Sequence, residues 1–295
     1  MIKQTLMFST PVLLSLKLNQ LVIRFRDSED EVTRPIEDIG VVIVENQMVQ
    51  ITVPLLNALA GNNVSVVFCD SKAMPNTMLM PLVANSTQQE SYRCQMEASL
   101  PTKKRIWKEI VEWKIRNQAA LLNKLGKNGS CLRQYYENVL SGDSDNREGA
   151  AAKVYWQRMF GKGFVRRREG MPPNALLNYG YSILRAAVAR ALLGSGLLPA
   201  FGLFHRNRYN AFPLADDVME VYRPYVDEIV YSVYMECPDI GITKEVKQRL
   251  LEVLFADVRM NKQTKPLEVA LSFTTASLVR ALKDNRQHIV CPKML

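Results

Sequence analysis

The spacing of apolar residues changes once along this chain, near residue 80. That change limits the fold more than any other feature. Before it, the apolar residues come in short runs, KQTLMF, VLLSLKLNQLVIRF, EVTRPI, DIGVVIVE and VSVVFC, separated by turn-forming Ser-Thr-Pro, Asp-Ser-Glu-Asp and Glu-Asp. Leu14, Leu16 and Leu18 alternate with Ser15 and Lys17, the period of a half-buried strand. VQITVPLLNALAGNN reads as one short helix stopped at Gly61-Asn62, and SKAMPNTMLMPL as a proline-punctuated exit. After it, the apolar residues fall three and four apart. Ile106, Ile110, Trp113, Ala120 and Leu121 form one such stripe; Leu177, Tyr181, Leu184, Val188, Ala191 and Leu192 form the most apolar one. The expectation is an α+β multidomain protein: a β-rich domain over 1–80, a linker over 81–90 and a larger all-α catalytic domain over 91–295.

Within the helical part, Gly and Pro set the breaks. GKNGS (126–130) ends one helix, the polar loop Ser141–Asn146 caps REGAAAKVYWQRMF, and Asn174 after Pro172-Pro173 caps NALLNYGYSILRAAVARALLGSG. RMNKQTKP reads as a basic turn. The tail NRQHIVCPKML reads as poorly anchored, with His288 a surface residue.

Charge narrows the partners. With 38 Lys and Arg against 29 Asp and Glu, the formal net charge is +9. The excess gathers at Lys103, Lys104, Arg105, Lys108, Lys114 and Arg116, and again at Lys153, Arg158, Lys162, Arg166, Arg167 and Arg168. Such patches attract polyanions, nucleic acid above all; a solvated helix face is the plain alternative. No apolar run approaches the ~20 residues of a membrane span, and the N-terminus lacks a signal peptide's apolar core. Five scattered cysteines without a CxxC pair argue for a reducing compartment and against a zinc ribbon. A cytoplasmic protein with no membrane association is expected.

Against this basic background the acidic residues of Gly202–Pro224 stand out. The stretch holds His205, one of two histidines, followed by Asp216, Asp217 and Glu220. On a helix these carboxylates share a face. They are either an ordinary acidic helix start or a cation site in which the imidazole takes part. Glu148 is equally ambiguous. Its helical neighbours Ala151, Ala152, Tyr155 and Met159 are apolar, so the carboxylate is either a first-turn group favoured by the helix dipole or one that needs a cation. Pro224 cannot donate to the carbonyl of Glu220, which predicts a bend there that turns Glu220 toward His205.

REGAAAKVYW, MPPNALLNYGYSILRAAVARAL, GLLPAFGLFHRN and FPLADDVMEVYRPYVD, in this order, resemble the CRISPR-associated spacer-acquisition integrase. The nearest likeness is to the branch that accompanies the RNA-guided single-effector nuclease of type II systems. The resemblance implies a divalent cation held by Glu148, His205 and Glu220 as catalytic ligands; many relatives carry aspartate in place of Glu220. It ranks Asp217 below Glu220 as ligand or supporting group. It makes Asn178, Tyr179 and Arg223 substrate or supporting positions. Two acids and an imidazole suit Mg²⁺ or Mn²⁺. The implied reaction is attack of a DNA fragment's 3′-hydroxyl on a repeat-edge phosphodiester. Lys103, Lys104, Arg105, Arg166, Arg167 and Arg168 would track phosphate. The implied partners are double-stranded DNA (spacer precursor and CRISPR repeat), a second copy bound through the β-rich domain, and a small ferredoxin-like protein. A structure-specific DNA repair nuclease and a non-enzymatic DNA-binding scaffold are the competing readings.

Overall fold

The structure, a computed structural model, describes residues 4–26, 28–205 and 207–295. Lys3 of the first expected strand and Asp27 of the expected turn lie outside the described residues. The chain divides into two units, Met1–Ala84 and Asn85–Leu295.

The first unit carries two four-stranded sheets. It opens with β1 (Gln4–Phe8), β2 (Val12–Lys17), β3 (Gln20–Phe25) and β4 (Glu31–Pro35), then β5 (Ile39–Val44) and β6 (Gln50–Ile51). Helix α1 (Val53–Gly61), β7 (Ser65–Cys69) and β8 (Pro75–Leu79) complete it. One sheet runs β1-β5-β7-β8, with β1, β5 and β7 parallel and β8 antiparallel. The other runs β4-β3-β2-β6. All six residues of β5 are buried, which explains its unbroken IGVVIV. The core gathers Leu14, Leu21, Ile39, Val42, Leu55 and Val66.

Three expectations change here. VLLSLKLNQLVIRF is two strands, because Leu18 and Asn19 adopt φ of 50° and 58° and form a two-residue hairpin turn. Leu18 therefore lies outside the strand alternation and is 88% exposed. The first residues of the expected short helix, Gln50 and Ile51, pair with β2 instead. SKAMPNTMLMPL contributes β8, an edge strand that starts at Pro75.

The second unit is helical around two long helices. It comprises α2 (Gln88–Glu97), α3 (Leu100–Lys124), α4 (Arg133–Tyr136), α5 (Arg147–Phe160), α6 (Asn174–Gly194), α7 (Pro213–Met219), α8 (Arg223–Glu236) and α9 (Lys244–Leu251). A hairpin, β9 (Asp257–Met260) and β10 (Gln263–Pro266), precedes α10 (Leu267–Lys283). Helix α3 packs on α5 and α8; α6 packs on α7, α8, α9 and α10. A Cβ on Gly180 of α6 would stand 2.4 Å from Val226 Cγ1, so the glycine permits the close approach of α6 and α8.

Expectations change here as well. RMNKQTKP is the centre of the β9–β10 hairpin, turned at Asn261 and Lys262 with φ of 45° and 71°. Asn174 does not cap α6; its side chain accepts from Arg167 N and donates to Val165 O, which fastens the preceding loop. The tail is anchored. Ile289, Cys291 and Met294 are buried, and Lys293 exchanges both backbone hydrogen bonds with Arg259. His288 is at the surface, its Nδ1 2.9 Å from Glu109 Oε1. The five cysteines are all free thiols. Among the described residues no helix is long and apolar enough to cross a membrane.

Candidate active site

Three elements of the helical unit bring the acidic residues together. The first is the start of α5. Asn146, at φ 54°, caps this helix by accepting from Gly149 N, while the Asp143 carboxylate accepts from Arg147 N and Glu148 N. Burial raises the Asp143 pKa against those two hydrogen bonds. With the first turn fixed and Ala151, Tyr155 and Met159 buried, Glu148 projects toward α3.

The second element is the break between α7 and α8. Helix α7 stops at Met219, residues 220–222 form a turn, and α8 begins at Arg223 with Pro224 in its first turn. The interruption lies just before Pro224 and not at it. Glu220 itself keeps helical backbone angles at the end of α7, and its carboxylate meets Arg223 and Lys114.

The third element is α3, which supplies Lys114. Its Nζ donates to Glu148 Oε1 at 2.6 Å and lies 2.5 Å from Glu220 Oε2. Arg223 Nη2 sits 2.8 Å from Glu220 Oε1. Burial alone would raise the pKa of Glu220, but Arg223 and Lys114 outweigh it and hold the carboxyl below its ordinary range. Burial would likewise lower Lys114, and Glu148 with Glu220 reverse the sign, so the ammonium is held charged. The sequence grouped Lys114 with the basic surface; the structure buries it to 7% exposure.

His205 reaches the site through Asp217. The Asp217 carboxylate is fully buried and accepts from Leu203 N (2.6 Å), Phe204 N (3.1 Å) and His205 N (3.2 Å). The imidazole Nδ1 is 2.6 Å from Asp217 Oδ1. An ionised carboxylate can only accept, so Nδ1 carries the hydrogen and Nε2 of the neutral ring keeps its lone pair. That hydrogen bond raises the His205 pKa; burial opposes it, and the charges of Asp217, Glu220 and Glu148 add to the rise. Trp107 braces the loop from α3, stacked on Phe204 with ring centroids 4.4 Å apart.

The acidic residues of the stretch thus have separate partners. Asp216 pairs with Arg185 and accepts from Asn210. Asp217 holds the histidine loop, and Glu220 faces the cations. Asn178 accepts from Arg166 and donates to the Arg168 carbonyl, ordering the basic loop. Tyr179 is buried in the core. Arg105 donates to Glu109 and to the carbonyls of Ala281 and Gln287, and Arg166 is half-buried; Lys104, Arg167 and Arg168 are exposed, and Lys103 is partly so. A cavity of about 540 Å³ opens beside His205, lined by Arg166, Arg168, Arg185 and Arg223 among others. Sequence reasoning missed Lys114 as a site residue and Arg185 as part of this basic wall.

Among the described residues no three His, Cys, Asp or Glu side chains converge as a ready-made metal cage. The donor set nevertheless fits a hard divalent cation. Glu148 and Glu220 already share one positive charge, the Lys114 ammonium between them. The His205 imidazole, held at Nδ1 by Asp217, is close enough for the charges of both acids to act on it.

A family model described as "CRISPR associated protein Cas1" matches residues 6–236. The CRISPR-associated endonuclease Cas1 of Neisseria meningitidis serogroup C (strain 8013) is 37% identical over 286 residues, covering 96% of this chain and 93% of that protein. Among solved structures, a casposase bound to integration product superposes with a TM-score of 0.77 at 21% identity, over 98% of this chain and 93% of that one. A CAS1 protein from Thermotoga maritima superposes at 0.74 and 17% identity, over 97% and 99%. The β-rich start and helical remainder are thus those of the Cas1 fold, and the chain belongs to the Cas1 family of CRISPR-associated endonucleases.

Proposed function

We propose that the chain is a divalent-metal-dependent DNA integrase and endonuclease that joins the 3′-hydroxyl of a short DNA fragment to a phosphodiester at the edge of a CRISPR repeat. The observation that carries this reading is the Glu148–Lys114–Glu220 bridge beside a histidine oriented by Asp217. Glu148, Glu220 and His205 Nε2 would hold Mg²⁺ or Mn²⁺. Such an ion, when bound, polarises a phosphate and lowers the pKa of an attacking hydroxyl.

The chain's own residues supply orientation and charge. Asp217 and the stacked Trp107–Phe204 pair keep the imidazole from turning. Arg166, Arg168, Arg185 and Arg223 give the adjoining cavity the charge to hold a phosphodiester. In transesterification the DNA hydroxyl forms the new P–O bond while the old 3′-oxygen leaves, so no side-chain nucleophile is required. Water in place of the DNA hydroxyl turns the same site to hydrolysis.

Double-stranded DNA is the substrate in this reading, which the casposase bound to integration product supports by likeness of fold. A small ferredoxin-like adaptation partner and a homodimer formed through the β-rich unit complete the assembly. A neighbouring fold seen in a Cas6-RT-Cas1–Cas2 complex supports such a partner.

The test is strand transfer of a short duplex into a plasmid bearing the repeat, with the small partner added. The wild type should give joined products with Mg²⁺ or Mn²⁺. Glu148→Gln, His205→Ala and Glu220→Gln should each lose them while DNA binding persists. Joined products from all three variants overturn the site assignment. Cut products without joining point instead to a repair nuclease, and inactivity of the wild type with either metal to a scaffold.

A further inference from the structure

The basic residues of α3 look alike in sequence but stand in different surroundings. Lys104 and Arg116 are exposed and Lys108 is partly so, whereas Lys114 lies among Ile110, Val111, Ile115 and Gln118 in the buried part of the helix. A buried ammonium is costly unless it is neutralised, and so are two buried carboxylates. Lys114 meets both conditions at once, 2.6 Å from Glu148 Oε1 and 2.5 Å from Glu220 Oε2. Among the described residues no other cation is in ion-pair contact with both acids; Arg223 contacts Glu220 alone.

Both contacts are close, and the one to Glu220 is the shorter. One ammonium is thus divided between two carboxylates. Arg223 cannot take over, because it is three residues from Glu220 on the same segment and its guanidinium sits 4.6 Å over the Tyr181 ring. Lys114 comes from another helix on a four-carbon stem, and its head can turn away without moving the backbone.

We infer that Lys114 is a built-in counter-ion of the acidic pair, competing with a divalent cation for Glu148 and Glu220 and thereby setting how tightly that cation is held. The inference rests on the metal-dependent reading above. Two effects of opposite sign follow from removing the ammonium. Without metal, the carboxylates repel each other and the protein loses stability. With metal, the competitor is gone and the ion binds more tightly. A lysine that merely cements the fold would produce the first effect without the second.

The experiment is calorimetric titration of the full chain with Mn²⁺ alone, together with melting in chelator. Lys114→Met should melt below the wild type in chelator and bind Mn²⁺ at least about tenfold more tightly, a difference of about 1.4 kcal/mol. Lys114→Gln, which keeps a polar head, should shift affinity in the same direction and serves if the methionine variant does not fold. Equal or weaker Mn²⁺ affinity in the folded lysine variant overturns the inference, provided Glu148→Gln binds more weakly than the wild type. If the wild type and the lysine variants bind no better than Glu148→Gln, the metal-dependent reading itself fails and the inference falls with it.

Discussion

Asp217 holds His205 at two points: its Oδ1 lies 2.6 Å from the imidazole Nδ1 and 3.2 Å from the backbone N–H of the same residue. Asp217→Asn keeps the shape, but the amide must turn an N–H₂ toward one set of these donors. Strand transfer should fall about 10- to 100-fold, the usual cost of losing a ligand-orienting partner. Rates measured beside Mn²⁺ affinity check this, and wild-type values of both would remove the orienting role.

Gly202 lies where the chain enters that loop. A Cβ there would stand 2.7 Å from His205 O, 2.9 Å from Pro213 Cβ and 3.1 Å from Asp217 Oδ2. Two of these neighbours are fixed by the backbone and the proline ring, so the loop must shift. Gly202→Ala should cost about 1–3 kcal/mol by denaturant titration. It should also reduce strand transfer, since the displaced loop carries His205. Unchanged activity at reduced stability would show that the loop recovers its place.

Asn117, one turn along α3 from Lys114, donates to the carbonyls of Val221 and Pro292 and accepts from Met294 N. It thus ties the chain tail to the residue after Glu220. Asn117→Ala would strand these buried groups and should destabilise the protein by about 2–4 kcal/mol. Deleting residues 291–295 should also lower activity, because the Val221 carbonyl loses part of its support. A fully active truncated protein would confine the tail to a packing role.

Asp227 is buried and accepts from the hydroxyls of Tyr155 and Tyr181. Burial raises its pKa to about 6, against those hydrogen bonds and the charges of Arg223 and Arg166. The folded protein then binds the proton more tightly than the unfolded chain. Its contribution to stability is greatest below the ordinary carboxylate pKa of about 4, declines as pH rises to about 6, and is level above. Asp227→Asn does not titrate there. The melting temperature of the variant minus that of the wild type should therefore climb across that window and flatten beyond it. A flat or falling difference would contradict the raised pKa.

Several of these features could be read from the sequence because they are local. The polar start and alanine-rich face of REGAAAKVYW put Glu148 at a helix start turned toward apolar neighbours, as the buried Ala151, Tyr155 and Met159 bear out. Pro224 marked a helix boundary after Glu220, since a residue without an N–H fits the first turn of a new helix, as in α8, but not the interior of a continuous one. The short strand β8 escaped because it pairs with β7, outside its own residues, and the hairpin β9–β10 because its strands are only four residues each and largely polar. The anchored tail escaped because its partners are distant: His288 lies far along the chain from Glu109, and Pro292 and Met294 from Asn117.

The sequence by itself determined where the apolar period changes, and so a β-rich unit followed by a helical one. It also determined which acids and which histidine were candidates, because residue type and helical spacing are properties of neighbouring positions. The tertiary structure alone decided how those groups are used. Asp216, Asp217 and Glu220 are within five positions, yet they meet Arg185, the His205 loop and Lys114 respectively. Lys114 changed most, from one of six basic residues on a surface helix to the cation between two acids. Its burial is set by α5 and by the turn after α7, which reach α3 only when the chain has folded.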